Sequence, residues 1–285
     1  MLQDILGEQL MLNRQMFTNF QELIYITCGI ALADNKRTML SVRLLKRLRA
    51  LNFDSYEEYF EHIQTESNFA DELQSLLNVV TTNKTDFYRE KHHFQLLAET
   101  IIPELRSNHL ISSTDNLRVW SAGCSSGEEP YTLAMVLSDA MGAKTGSFEI
   151  LATDISTKVL QEAMSAVYCE ECVAPIPEEQ KKKYLLRGTG NQKGFYKIAP
   201  EIRKHVKFGH LNFVAENYRI PEKMHVVFCR NVLIYFDTHS RDEIVRKLCN
   251  QLVPHGYLFI GHSETLDPQE YQLERLLPTV YRRKC

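Results

Sequence analysis

The sequence predicts an α/β protein in which a small all-α N-terminal domain (residues 1–82) precedes a larger domain with a mostly parallel sheet (residues 83–285). Residues 1–80 contain no proline and only two glycines, and their apolar residues recur at helical spacing. After Thr82, strand-like and helix-like segments alternate. Residues 168–202 combine prolines and glycines with short alternating stretches, which predicts a small antiparallel β insertion within the second domain.

The composition is that of an ordinary globular protein. Of 285 residues, 44% are hydrophobic and 24% charged, and the net charge is −3. These values exclude disordered and fibrous classes and give no sign of a nucleic-acid partner. No apolar run approaches the ~20 residues needed to cross a bilayer, and residues 1–12 carry acids where a signal peptide would carry bases. We therefore expect a cytoplasmic protein without membrane insertion, and a monomer, because no heptad seam is visible.

The cysteines do not suggest a disulfide framework. There are seven, an odd number scattered over a long chain, which predicts reduced thiols. Cys169 and Cys172 form a C-x-x-C, but no second Cys or His pair follows at metal-ligand spacing. We therefore expect no metal site, and favour a structural role for this pair over zinc or redox chemistry.

One N-terminal helix has a basic side. Between residues 36 and 51, five leucines fall on one arc, and the other arc carries five basic residues. Residues 54–72 are acidic and include Glu72, so the two segments could neutralise each other. The basic face is either a solvated surface or a docking surface for an acidic partner. Its residues are Lys36, Arg43, Lys46, Arg47 and Arg49.

The second domain shows the order of elements expected of an open parallel sheet. Its predicted helices cover residues 128–140, 157–166 and 239–252. The insertion interrupts the alternation after the second of these helices. The predicted strands cover residues 117–122, 148–153, 206–209, 226–229 and 257–260.

A glycine-containing loop follows the first of these strands. Gly123 and Gly127 permit a tight turn and a close approach of backbone to ligand, at the edge where open α/β sheets bind ligands. The loop lacks the third glycine of a dinucleotide fingerprint and the lysine of a phosphate loop. It places Glu128 and Glu129 at a helix N-terminus, where a phosphate would otherwise bind. The acids favour a cationic ligand, although they could also merely complement the helix dipole.

The second strand ends in an acid that suits a ribose. Asp154 follows Gly127 by 27 residues and could accept hydrogen bonds from both ribose hydroxyls. Adenosine without phosphates, together with a positive charge, is the profile of S-adenosylmethionine. A nicotinamide enzyme remains an alternative, and Asp154 could instead cap the helix that begins near Thr157.

Four motifs resemble the CheR family of chemotaxis receptor methyltransferases. They occur in family order, and the resemblance covers nearly the whole chain, including the helical domain and the insertion. It implies a Rossmann-like class I methyltransferase sheet, S-adenosylmethionine as cofactor and S-adenosylhomocysteine as product. The motifs are TNKTDFYRE at 82–90, WSAGCSSGEEPY at 120–131, ATDI at 152–155 and FCRNVLIYF at 228–236.

The resemblance also implies an activity, partners and a cofactor pocket. The activity would be transfer of a methyl group to glutamate side chains of a chemotaxis receptor, forming methyl esters. The partners would be the receptor's helical coiled coil and, through the region of Arg187, a peptide at its C-terminus. Where Phe213 stands, the family more often has an aliphatic residue. The pocket would be formed by Asn83, Thr85, Arg89, Gly123, Glu129, Asp154, Asn212, Phe213, Arg230 and Asn231.

We hypothesise that Arg89 and Arg230 orient the carboxylates of substrate and cofactor, while Tyr235 packs beside the transferring methyl group. Arg230 follows a buried strand, so a purely structural arginine–carboxylate pair is the alternative, as is a packed Tyr235. His262 follows the last strand and is read as structural.

Asn83 and Thr85 could be turn or capping residues. Two rival functions remain: a methyltransferase for RNA or another protein, and a module that binds the cofactor without transferring its methyl group.

Overall fold

The computed structural model describes residues 11–65, 69–111, 116–141 and 147–285. The start of the predicted helical domain, residues 1–10, and Glu66 of the acidic segment lie outside the described residues. In the described chain, no helix is both long and apolar enough to span a bilayer.

The N-terminal region is helical, as predicted. Asn13 and Ser55 accept hydrogen bonds from backbone N–H groups in the first turns of α1 and α3, and α1 ends at Gly29, whose φ is 73°. The helices bury one apolar cluster that includes Phe20, Tyr59 and Leu76. They are α1 (Arg14–Cys28), α2 (Arg37–Leu51), α3 (Tyr56–Ile63) and α4 (Phe69–Val80).

Two of the five basic residues predicted for the outer face of α2 are half-buried against α4, so that prediction is wrong for Arg43 and Arg47. The Arg43 guanidinium donates to the carbonyls of Val80 and Thr81, at the end of α4. Arg47 pairs with Glu72 of α4, whose side chain is only 6% exposed. Periodicity identified the polar arc but not the helix that packs against it; Lys36, Lys46 and Arg49 are exposed.

We expect Arg47→Ala to destabilise the helical region by about 2–4 kcal/mol, because it leaves the buried Glu72 carboxylate without a cation. Burial alone would raise the pKa of Glu72, but hydrogen bonds from Arg47 and Tyr59 lower it below its ordinary value. The pair therefore stabilises the fold above the unfolded pKa of about 4.3, and this stabilisation is lost as pH falls through the folded pKa. Denaturant unfolding at pH 7 and pH 3 tests this. Arg49→Ala, on the exposed face, should change stability little.

The second region contains a seven-stranded sheet with the strand order β6-β2-β1-β7-β8-β10-β9. The first five of these strands are parallel, while β10 is antiparallel to both neighbours. All six residues of β7 are buried, because apolar clusters cover both faces of the sheet. The strands are β1 (Asn116–Ala122), β2 (Ser147–Asp154), β6 (Val206–His210), β7 (Met224–Cys229), β8 (Leu252–Ile260), β9 (Leu273–Leu277) and β10 (Val280–Arg283).

The predicted parallel strands and their helices are observed within a few residues of the expected bounds. The antiparallel pair β9 and β10 was not predicted, and neither was the helical stretch before β1. That stretch consists of α5 (His92–Leu96), a π-helical turn (Leu97–Ile101) and α6 (Ile102–Ser107). The predicted helices are α7 (Glu128–Met141), α8 (Thr157–Ser165) and α12 (Thr238–Gln251).

The insertion is the predicted small antiparallel sheet, with strand order β3-β5-β4. Cys169 and Cys172 are joined by a disulfide bond, so the expectation of reduced thiols is wrong for this pair. Their separation of three residues at the start of a helical turn brings the sulfurs together. The elements are β3 (Val167–Cys169), α9 (Glu170–Val173), α10 (Glu178–Tyr184), β4 (Leu185–Arg187), β5 (Phe195–Ile198) and α11 (Pro200–Arg203).

The helical region contacts the sheet at the carboxyl ends of its strands. Gln74 of α4 donates to the carbonyl of Ile155, and Asn78 bonds to Ser156 and Thr157. On the other side, the Ala31 N–H donates to the carbonyl of Tyr235 (2.9 Å). A cavity lies between these two sets of contacts.

Candidate active site

The cavity has a volume of about 670 Å³ and lies where β1, β2 and β7 end. Nine of the ten residues predicted to bind the cofactor line it, as does Tyr235. The exception is Asn212. The predicted residues that the structure brings together are Asn83, Thr85, Arg89, Gly123, Glu129, Asp154, Phe213, Arg230, Asn231 and Tyr235.

The glycine loop after β1 has the backbone that its sequence predicts. Gly123 has a φ of +85° and Gly127 a φ of +97°, in the left-handed region that side chains disfavour. A Cβ added to Gly123 would lie 2.5 Å from Val232 Cγ2. Gly123 therefore lets the loop pass close to Val232 in the loop after β7, and Gly127 lets it pass close to Ala163 of α8.

Asp154 is buried at the end of β2 and holds the glycine loop. One carboxylate oxygen accepts from the Ser125 N–H and the other from the Ser156 N–H, both at 2.9 Å. Burial raises the pKa of Asp154, although these hydrogen bonds oppose the rise. The N-cap residue of α8 is Ser156 rather than Asp154. Asp154 lines the cavity, and the capping alternative does not hold.

Glu129 and Arg230 form a buried ion pair across the ends of β1 and β7. Arg230 Nε lies 2.7 Å from Glu129 Oε2, and the two side chains are 2% and 12% exposed. Glu129 also accepts from Ser121 Oγ, and Arg230 donates to the carbonyl of Arg89. The arginine–carboxylate pair offered as the structural alternative is therefore present. Glu129 is bound to specific side chains, which helix-dipole complementation alone would not require.

Arg89 has a different environment from Arg230. It is partly exposed, and its guanidinium donates to the carbonyl of Lys84 at 2.9 Å. Nearby, the Asn83 carbonyl accepts from Ser125 Oγ. Among the described helices, neither Asn83 nor Thr85 is an N-cap residue, so capping does not explain them. In the contacts of the described residues, the Arg89 guanidinium is thus less committed to protein partners than that of Arg230.

Of the remaining predicted residues, three line the cavity and one, Asn212, lies behind its wall. Phe213 and Asn231 line the cavity, and Asn231 has a φ of 59°. Asn212 does not line it; its side chain donates to the Thr27 carbonyl at 2.7 Å and thereby fixes the β6 loop to the end of α1. Tyr235 is half-buried and belongs to the wall.

Several residues at the site were missed. Glu264 is buried after β8 and accepts from the N–H groups of Asn231, Val232 and Gly261, so it fixes the backbone of the β7 loop. Burial raises its pKa, and these hydrogen bonds oppose the rise. Its position three residues beyond Gly261, after the last predicted strand, was the available signal. Lys36 and Arg43, expected on the outside, also line the cavity.

The cavity contains charges of both signs. Two acids, Glu129 and Asp154, lie on the sheet side, where Arg230 pairs with Glu129, while further cations come from the helical region and the segment that follows it, at Lys36, Arg43 and Arg89. The two acids would repel a pyrophosphate, whereas they would attract a positively charged sulfonium. Gly123 lines the cavity, and the space that a Cβ would need there is taken by Val232. These features fit S-adenosylmethionine, with Asp154 placed to accept hydrogen bonds from the ribose.

Comparison with known proteins agrees with this fit. Residues 83–281 match the model of the CheR methyltransferase, SAM binding domain, and residues 15–81 match that of the CheR methyltransferase, all-alpha domain. The chain is 39% identical to a chemotaxis protein methyltransferase of Escherichia coli over 274 residues, covering 96% of this chain and 92% of that protein. It is 37% identical to chemotaxis protein methyltransferase 2 of Pseudomonas aeruginosa over 268 residues, covering 94% and 92%. The cofactor is therefore S-adenosylmethionine, and the chain belongs to the CheR methyltransferase family.

Proposed function

We propose that this methyltransferase esterifies glutamate side chains of chemotaxis receptors. The observation that carries the proposal is that cations outside the Glu129–Arg230 pair line the cavity: Lys36, Arg43 and Arg89 fit an anionic methyl acceptor. A glutamate carboxylate is already ionised near pH 7, so it can act as the nucleophile without a general base. The names of the relatives support chemotaxis receptors as the substrate class.

Positioning is then the main task of the protein. S-adenosylmethionine supplies an electrophilic methyl group on a positively charged sulfur. Arg89 would orient the acceptor carboxylate toward that methyl group, and such orientation lowers the barrier by several kcal/mol. Tyr235 and Phe213 would exclude water from the reacting ions, whose charges are neutralised in the transition state.

The two arginines have different roles in this proposal. Arg230 is committed to Glu129 and to the carbonyl of Arg89. We assign it a positioning role, in which it holds Glu129 at the cofactor and the backbone of Arg89 at the acceptor. Arg89, whose guanidinium bonds only to a backbone carbonyl in the interactions described, is the catalytic residue that contacts substrate.

Receptor docking is assigned to two surfaces. Lys46 and Arg49 on the exposed face of α2, with Lys36 at its start, would attract the acidic coiled coil of the receptor. In the insertion, β4 is an edge strand, so a receptor C-terminal peptide could add beside it near Arg187.

The proposal also covers the organisation and location of the protein. We assign residues 1–82 to the helical domain and 83–285 to the methyltransferase domain, with 168–202 as its β subdomain. The last N-terminal helix ends at Val80, which supports the first boundary. We further propose that the protein acts as a monomer in the cytoplasm, where the signalling part of a receptor is exposed.

The reaction product tests the proposal. We expect the protein to transfer a labelled methyl group from S-adenosylmethionine to a receptor cytoplasmic fragment, and mild alkali to release the label, because carboxyl methyl esters hydrolyse and N-methyl groups do not. Arg89→Ala should lower turnover by about 100-fold or more while stability stays close to that of the parent. Arg49→Ala should raise the KM for the receptor fragment and leave turnover unchanged. Alkali-stable label, or normal turnover of Arg89→Ala, would contradict the proposal.

A further inference from the structure

We propose that His92, His262 and Glu90 form a binding site for a divalent transition-metal ion of the zinc type. Glu90 precedes α5, His92 is the first residue of α5 and His262 follows β8, and none of the three lines the cavity. Imidazole nitrogen and carboxylate oxygen are ligands that zinc accepts in tetrahedral sites.

The two imidazole nitrogens are about as far apart as two histidine nitrogens that bind the same zinc ion. His92 Nε2 and His262 Nε2 lie 3.1 Å apart, and the rings stack with centroids 4.7 Å apart. Two nitrogens that bind one zinc ion tetrahedrally at about 2.0–2.1 Å are roughly 3.3 Å from each other. Little movement of either ring would be needed to bind an ion.

Glu90 supplies the third ligand atom. Its side chain is 9% exposed, and Oε2 has no hydrogen-bond partner among the described residues. This oxygen lies 3.9 Å from His262 Nε2, 3.5 Å from Arg230 Nη1 and 3.4 Å from His93 Nδ1. Arg230 is bound more closely to Glu129, at 2.7 Å. A buried carboxylate oxygen without a hydrogen bond is costly, and a cation beside the two imidazoles would satisfy it.

His93 closes the inner side of the site without serving as a ligand. Its Nε2 lies 2.8 Å from Thr279 Oγ1 and its Nδ1 lies 3.2 Å from Arg230 Nη1, so both ring nitrogens are in use. The His262 side chain is 58% exposed, which lets an ion enter from solvent. Three protein ligands and one solvent position form an open zinc site.

The site is connected to the cavity through Asn231. Glu90 Oε1 accepts hydrogen bonds from Asn231 Nδ2 at 3.4 Å and from the His262 N–H at 3.2 Å. Asn231 lines the cavity. An ion that fixes Glu90 would therefore also restrain one wall of the cofactor pocket.

Calorimetric titration of the full chain with zinc chloride tests the site. The parent should carry Cys285→Ser, because Cys285 Sγ lies 2.9 Å from His255 Nε2 and this exposed pair could bind zinc itself. We expect one ion per chain with at least micromolar affinity, and a higher melting temperature with zinc. His262→Gln and Glu90→Gln should each weaken zinc binding by more than about tenfold. Replacing a residue that only supports a metal ligand already costs about that much, and these two substitutions remove a ligand itself.

His239→Gln is the matched control, since His239 is exposed and faces only Glu243 among its ion-pair contacts. It should bind zinc as the parent does. The proposal is overturned if the parent binds no zinc, or if His262→Gln binds it with unchanged stoichiometry and affinity. Binding that is lost equally in His239→Gln would also overturn it.

Discussion

Replacing Asp154 with alanine is expected to weaken the binding of S-adenosylmethionine and S-adenosylhomocysteine by about 100-fold or more. Each hydrogen bond to a charged group contributes roughly 1.5–3 kcal/mol, and the buried carboxylate could accept two from a ribose. It also accepts the Ser125 N–H, so its removal releases the glycine loop. Both effects act in the same direction, on the affinity for either ligand.

Calorimetric titration of both ligands measures this effect. Asp242→Ala is the control, because Asp242 forms an exposed pair with Arg246 on α12. Melting temperatures of the two variants separate a local loss of binding from general unfolding. An Asp154→Ala protein that is folded and binds S-adenosylhomocysteine as the parent does would exclude the assigned ribose site.

Arg230→Met is expected to destabilise the protein by roughly 3–5 kcal/mol, the usual cost of removing one partner from a buried ion pair. Methionine fills a similar volume but leaves Glu129 and Glu90, which are 12% and 9% exposed, without their shared cation. The Arg89 carbonyl also loses its donor. Cofactor affinity should fall together with stability, since Glu129 would no longer be held at the cavity.

Denaturant unfolding gives the change in free energy, and Arg246→Met provides the comparison. Arg246 pairs with Asp242, but both side chains are substantially exposed, so its loss should cost less than about 1 kcal/mol. If Arg230→Met kept the parent's stability and lost only turnover, Arg230 would be a substrate-contacting residue, and the roles assigned to the two arginines would have to be exchanged.

The edge of the sheet where the site lies could be predicted because parallel strands bring their carboxyl ends together. The ends of the first, second and fourth predicted strands, at Gly123, Asp154 and Arg230, therefore indicated a common site. The family resemblance added the segment from Asn83 to Arg89, which no periodicity identifies. Asn212 shows the limit of such a transfer: it lies one residue from the cavity wall and supports it from behind.

Other features depend on packing that one segment does not encode. A helical period showed which arc of α2 is basic, but not that α4 would place Glu72 against Arg47. Strand β9 has four exposed residues out of five, so it lacks the alternation by which strands are recognised. Glu264 is a single acid after a strand, and only the folded loop shows that three N–H groups point at it.

Helix α2 belongs to two surfaces at once. Arg43 lines the cofactor cavity, while Lys46 and Arg49, on the same fifteen-residue helix, are exposed where the receptor is proposed to dock. A movement of α2 that favours the binding of the cofactor must therefore also change the binding of the receptor. By thermodynamic reciprocity, the factor by which bound cofactor changes receptor affinity equals the factor by which bound receptor changes cofactor affinity. Product release and receptor release would then be energetically coupled through one helix.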